Sequence, residues 1–224
     1  MKVKVSNIKR IHAYSEWEQA CYLKIEEVIL SALEKKNIAL SGGSTPIRIY
    51  QRIGGLLESL PESKTKDIRF FVVDERDVSI ESSRSNSAMI MNTIGRSLVV
   101  PFDPADQSPE SYYRQMCQEL GADGVFDLVV LGCGDDGHTA SLFPNTLLLK
   151  DKSSSFMENE LPTGELRYSM TLSFINSAKK KVVFVNDNKE KLKFFSSAIL
   201  NAGAYPIHQV LSTPNTEVII HEEL

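Results

Sequence analysis

Apolar residues fall into short, nearly unbroken blocks at 38–40 (IAL), 68–73 (IRFFVV), 126–132 (FDLVVLG), 181–186 (KVVFVN) and 217–220 (EVII). Blocks of this length, apolar at most positions rather than at every second one, suit strands covered on both faces. Between them the rhythm changes to the three-to-four-residue spacing of an amphipathic helix. Residues 15–36 place Trp17, Cys21, Ile25, Val28, Ile29 and Ala32 on one side, and Ser15 with Glu18 has the spacing of a capping box. Further helices are predicted over 46–58 with Pro46 at the first position, over 86–94, over 109–120 behind Ser108 and Pro109, and over 188–201. The one compositionally biased patch, KDKSSSFMENELPTGE at 150–165, reads as a mobile surface loop.

Strand and helix alternate along the chain, which predicts an α/β domain with a doubly wound, mainly parallel sheet and helices on both faces. A length of 224 residues suits one such domain spanning 1–224. Unusual polar residues gather where the strands stop: SGGST after the first, DER after the second, GCGDDGH after the third and NDNKEK after the fourth. In open α/β sheets the ligand crevice lies outside the carboxyl ends of the strands, so four strands deliver polar groups to one edge.

Charge narrows the partners. A formal net charge of −4 gives no general footprint for nucleic acid, so an anionic ligand must be held by a local cluster of cations. Cys21, Cys117 and Cys133 are odd in number and far apart, which fits a reducing compartment rather than a disulfide framework. The opening MKVKVSNIKRIHAY lacks an apolar signal core and no stretch is long enough to span a bilayer. The expectation is a cytoplasmic protein with neither a membrane nor a nucleic acid as partner.

Each motif has a chemical and a plain reading. In LSGGSTP (40–46), glycines open the backbone to a ligand, Ser44 or Thr45 can cap, and a following helix N-terminus favours an anion; the alternative is a tight turn before a capped helix. In FFVVDERDV (70–78), Asp74, Glu75 and Arg76 end a buried run, where charges need partners; they form an internal Asp–Arg salt bridge, or Arg76 stabilises negative charge on a substrate oxygen. GCGDDGH offers Asp135, Asp136 and His138, a histidine with a carboxylate to orient it as a base. A metal site is weakly supported because no recognisable ligand spacing is present, and a small strand-end residue explains Cys133 better than a nucleophile does. Arg167 and Lys191 are solvated cations singly, or together complete a phosphate clamp. His12, His208 and His221 have no motif around them and read as surface or packing residues.

LSGGSTP, FFVVDERDV with SNSAMI after it, LGCGDDGHTASLFP, RYSMTLSFIN and VVFVNDNKEK together resemble the 6-phosphogluconolactonase family, in the family's order from about residue 38 to 195. The segment at 136–144 is the most specific match, whereas the tail lacks the Trp-Phe-Leu-Asp often found near the family's end. The resemblance implies an enzyme without metal or cofactor that hydrolyses 6-phospho-D-glucono-1,5-lactone, as a monomer or small homo-oligomer. It further implies that His138, oriented by Asp136, activates water, that Arg76 faces the oxyanion, and that Gly42, Gly43, Ser44, Arg167 and Lys191 hold the phosphate; Asp74 and Asp135 are supporting residues. The related glucosamine-6-phosphate deaminases share the fold but carry Asp-Glu-Tyr where this chain has Asp74-Glu75-Arg76. A non-catalytic sugar-phosphate sensor is the reading from a different class.

Overall fold

The computed structural model describes residues 2–4, 7–186, 189–196, 199–201 and 205–223. In chain order the elements are β1 (Lys2–Lys4), β2 (Ile8–Ile11), α1 (Tyr14–Ile29), β3 (Lys36–Leu40), α2 (Ile47–Ser59), α3 (Glu62–Thr65), β4 (Ile68–Val72), β5 (Asp74–Arg76) and α4 (Asn86–Ile94). They continue as β6 (Val99–Val100), α5 (Pro109–Leu120), β7 (Leu128–Leu131), β8 (Phe156–Glu160), β9 (Leu166–Met170), α6 (Leu172–Asn176), β10 (Lys181–Val185), α7 (Lys189–Leu192), β11 (Ile199–Asn201), α8 (Pro206–Leu211) and β12 (Thr216–His221).

A seven-stranded sheet runs in the order β2–β12–β10–β7–β3–β4–β6 with every neighbouring pair parallel. Its strands alternate side chains between two cores. Ile38, Leu40, Phe70, Val72 and Val130 pack with Trp17 of α1, Ile49 of α2 and Ile90 of α4. Ala39, Phe71, Val129, Leu131 and Val183 pack with Tyr112 of α5, Phe174 of α6 and Ile207 of α8. Burial on both faces explains why these strands are apolar at successive positions. The expected doubly wound α/β architecture is therefore present.

From β3 the chain steps outward to β4 and β6, then returns to lay β7 against the other side of β3. The winding reverses at this boundary, and the loops after β3 and β7 diverge there to leave a crevice. Beyond Val73 the backbone leaves the main sheet, and β5 joins β9 and β8 in a small antiparallel sheet that walls the same edge.

Three local expectations are corrected. The first helix ends at Ile29, not 36, and no side chain caps its start at Ala13. Glu18 instead binds Arg48 and Arg52 of α2 at 3.0 and 3.3 Å, while the Ser31 hydroxyl takes the Val28 carbonyl at 2.7 Å as the helix stops.

The stretch 150–165 is not a loop throughout, because β8 pairs with β9 and buries Phe156, and Gly164 turns the hairpin at φ +80°. Only Phe156 and Asn159 of β8 are buried, whereas Glu158 and Glu160 are exposed, so the strand reads as polar.

The helix expected over 188–201 is a single turn, α7, followed by a 3₁₀ turn at 193–195 and then β11; residues 187, 188, 197 and 198 lie outside the described set. Arg10 donates to the Phe195 carbonyl at 2.8 Å and the His208 ring meets the Phe194 carbonyl at 3.0 Å, taking acceptors that a continuing helix requires.

Candidate active site

The loops at the winding reversal open onto a cleft of about 600 Å³. It is lined by Gly42, Gly43 and Ser44 after β3, by Asp74 and Arg76 of β5, by Asp135 and His138 after β7, by Arg167 of β9 and by Lys191 of α7. Of the ten residues assigned to the substrate site from the sequence, only Asp136 stands outside the lining, and it reaches the cleft through His138.

The loop after β7 is built around the imidazole. Asp136 Oδ1 lies 2.6 Å from His138 Nδ1 and also accepts the His138 backbone N–H at 3.0 Å. Two contacts to one carboxylate oxygen orient the ring, and a proton on Nδ1 leaves Nε2 as the free basic nitrogen. The ring stacks on Phe143, with centroids 4.2 Å apart and planes 26° from parallel. A Cβ at Gly134 would fall 2.1 Å from the imidazole Cε1, so only glycine permits the ring to sit there. Burial works to raise the Asp136 carboxyl but is outweighed by the His138 N–H and the His138 ring, which hold it below its ordinary range.

The DER segment divides into separate tasks. Asp74 forms no ion pair with Arg76; its Oδ2 accepts the Ser141 hydroxyl at 2.7 Å, so of the two readings of this motif the internal Asp–Arg salt bridge is absent. Burial pushes the Asp74 carboxyl up, against the pull of Ser141, Arg76, His138 and Arg167. Glu75 is fully buried and accepts from the backbone of Arg76, Asn86 and Ser87 and from the Ser85 hydroxyl at 2.7–2.9 Å. It anchors the start of α4.

Arg76 faces Arg167 directly across the β5–β9 pair, and like charges opposite one another in a sheet repel. Arg167 is balanced in part by Glu165, 3.0 Å away, while its Nε is buried with no acceptor among the described residues. A pair of guanidinium groups held together at a cleft wall is a place for an anion. Lys191 comes from the opposite side and sits 3.8 Å from Asp135.

The glycine loop leads into α2, whose N-cap position is Pro46 and whose first turn has no side-chain cap, so neither Ser44 nor Thr45 acts as one. The first turn of this 13-residue helix therefore starts without a side-chain cap next to the cleft, which Ser44, Thr45 and Pro46 line. Cys133 is buried beside this loop and its thiol is pushed up to about 12 by burial, which keeps it protonated. His208 and His221 are packing residues, buried against Phe194 and Tyr205 and against Tyr14 and Trp17.

Sequence reasoning passed over Asn86, Phe143 and Ser141 as site residues. Asn86 and Ser141 belong to quoted motifs, but only three-dimensional proximity joins them to Arg76 and Asp74. Among the described residues no helix is long and apolar enough to cross a membrane.

A family model described as "Glucosamine-6-phosphate isomerases/6-phosphogluconolactonase" matches residues 13–220. A 6-phosphogluconolactonase from Chlamydia trachomatis is 34% identical over 182 residues, covering 77% of this chain and 70% of that protein. Another from Treponema pallidum is 34% identical over 184 residues, 76% of each chain. Among solved structures, 6-phosphogluconolactonase from Trypanosoma cruzi superposes with a TM-score of 0.80 at 26% identity, over 96% of this chain and 94% of that one.

Proposed function

Because the chain belongs to the glucosamine-6-phosphate isomerase/6-phosphogluconolactonase family, we propose that it hydrolyses 6-phospho-D-glucono-1,5-lactone to 6-phosphogluconate in the oxidative pentose phosphate pathway. The observation that carries this reading is the Asp136–His138 pair, 2.6 Å apart, opening onto the same cleft as the Arg76–Arg167 wall, Lys191 and the glycine loop. A lactone with a distant phosphate needs both ends of such a cleft. The three free cysteines agree with a reducing, cytoplasmic setting.

In this reading His138 Nε2 takes a proton from a water as the water oxygen bonds to the lactone carbonyl carbon. Arg76 faces the oxyanion that forms. Collapse of the tetrahedral species breaks the ring C–O bond, and the imidazolium returns its proton to the departing ring oxygen. Asp136 keeps the Nδ1 tautomer throughout and steadies the transient imidazolium. Gly42, Gly43, Ser44, Arg167 and Lys191 hold the phosphate, so that remote binding energy fixes the carbonyl beside the base. Asp74 and Asp135 support the cations around them.

The δ-lactone also opens unaided, so the deciding assay generates it in place with glucose-6-phosphate dehydrogenase and follows its decay with and without the protein. Acceleration above background is expected, with no ammonia released from glucosamine 6-phosphate. Ammonia release would transfer the site to deaminase chemistry, and binding of 6-phosphogluconate without faster decay would make it a sensor.

A further inference from the structure

We infer that Asn86 is a positioning residue: it fixes Arg76 through a neutral acceptor, so that the guanidinium is held in place while its charge stays available to the substrate. The inference rests on the lactonase reading only for the identity of that substrate. Asn86 opens α4 and is 3% exposed. Its Nδ2 donates to the Asp74 carbonyl at 2.8 Å, which decides the orientation of the amide and turns Oδ1 toward Arg76 Nη1 at 2.9 Å. The guanidinium also donates to a second neutral acceptor, the carbonyl of Arg84.

The need for an anchor follows from the sheet. Arg167 stands opposite Arg76 and pushes it away, yet among the described residues no carboxylate lies within 4.0 Å of Arg76, whereas Glu165 sits 3.0 Å from Arg167. Neutral acceptors resist the repulsion without cancelling the charge, and charge-assisted hydrogen bonds are the stronger kind. The same amide also sets the spacing to the glycine loop. A Cβ at Gly42 would fall 1.9 Å from Asn86 Oδ1, so the loop backbone lies directly on the amide. Aspartate here would pair with Arg76 and repel the Asp74 carbonyl, serine would fall short, and glutamine would collide with the loop.

The test is a double-mutant cycle in the full chain, with Asn86→Ser and Asn86→Asp each made with Arg76 present and in an Arg76→Ala background. Lactone kcat/KM is read above the uncatalysed rate. Asn86→Ser is expected to cost about tenfold, and the isosteric Asn86→Asp more than Asn86→Ser because it neutralises the arginine. In the Arg76→Ala background each substitution should cost no more than about threefold. Equal losses in both backgrounds, or an Asn86→Asp variant as active as the unaltered chain, would overturn the inference. A readout that needs no turnover accompanies it: guanidinium NMR signals, identified by their loss in Arg76→Ala, should be resolved in the unaltered chain and averaged in Asn86→Ser. If the unaltered chain does not accelerate lactone opening, the function reading fails while these signals still decide the role of Asn86. Should Asn86→Ser not fold, the isosteric Asn86→Asp carries the cycle alone, and a loss of equal size in the Arg76→Ala background would overturn the inference.

Discussion

Glu75 and Asp136 both follow the end of a central strand and both adjoin another acidic residue, yet they sit in opposite surroundings. Glu75 is fully buried and accepts four hydrogen bonds, three from backbone N–H groups at the β5–α4 junction. Asp136 has a side chain 51% exposed and shares one oxygen between the ring and the backbone of His138. Burial raises the Glu75 carboxyl even against the N–H groups of Ser87, Asn86 and Arg76 and the Ser85 hydroxyl. The Asp136 carboxyl is held low, its burial outweighed by His138. A carboxylate surrounded by backbone donors holds the fold together; one left with a titratable ring at a cleft mouth orients chemistry.

The largest effect should come from removing the structural partner. Glu75→Ala leaves four donors without their acceptor in a buried site and should lower unfolding stability by about 3 kcal/mol or more. Denaturant unfolding measures this, and a variant as stable as the unaltered chain would erase the distinction drawn here. His138→Ala should do the reverse, lowering kcat about a hundredfold, near 2.7 kcal/mol, with KM and unfolding midpoint little changed.

A carboxylate titration followed by NMR sharpens the contrast through pH. Because the Glu75 value is raised in the fold, its contribution to stability is complete below the unfolded value and is lost as pH rises through the folded one. Because the Asp136 value is lowered, its contribution is present above the ordinary aspartate range and is lost only as pH falls through the folded value. On acidification Glu75 should therefore take its proton before Asp136 does. The smallest effect is expected from Cys133→Ser in the same loop as the base. A thiol pushed up to about 12 supplies no thiolate near neutral pH, so lactone turnover should stay within about twofold; a large loss of kcat in a folded variant would give the sulfur a role.

Much of the site was legible because its pieces are local. Asp136 and His138 are two positions apart in a glycine-flanked turn, and any fold that buries the run at 126–132 carries them to the end of a strand. What escaped depended on partners remote in sequence. The predicted helix at 188–201 competes with Arg10 and His208 for its carbonyls, and a window on residues 188–201 contains neither. The stretch at 150–165 reads as loop until β9 supplies the other half of its ladder. The capping box at Ser15 and Glu18 fails because Glu18 meets Arg48 and Arg52 across a helix interface.

By itself the sequence determined the fold class, the buried strands and the four polar loops at their ends, since alternation, strand length and turn residues all express interactions within a few positions. Only the tertiary structure decided which charge meets which: that Asp74 binds Ser141 rather than Arg76, that Glu165 balances Arg167, and that Asn86 holds Arg76. Electrostatic partners are chosen by distance through space, and that distance exists only once β5, β9 and the loop after β7 have closed on one edge of the sheet.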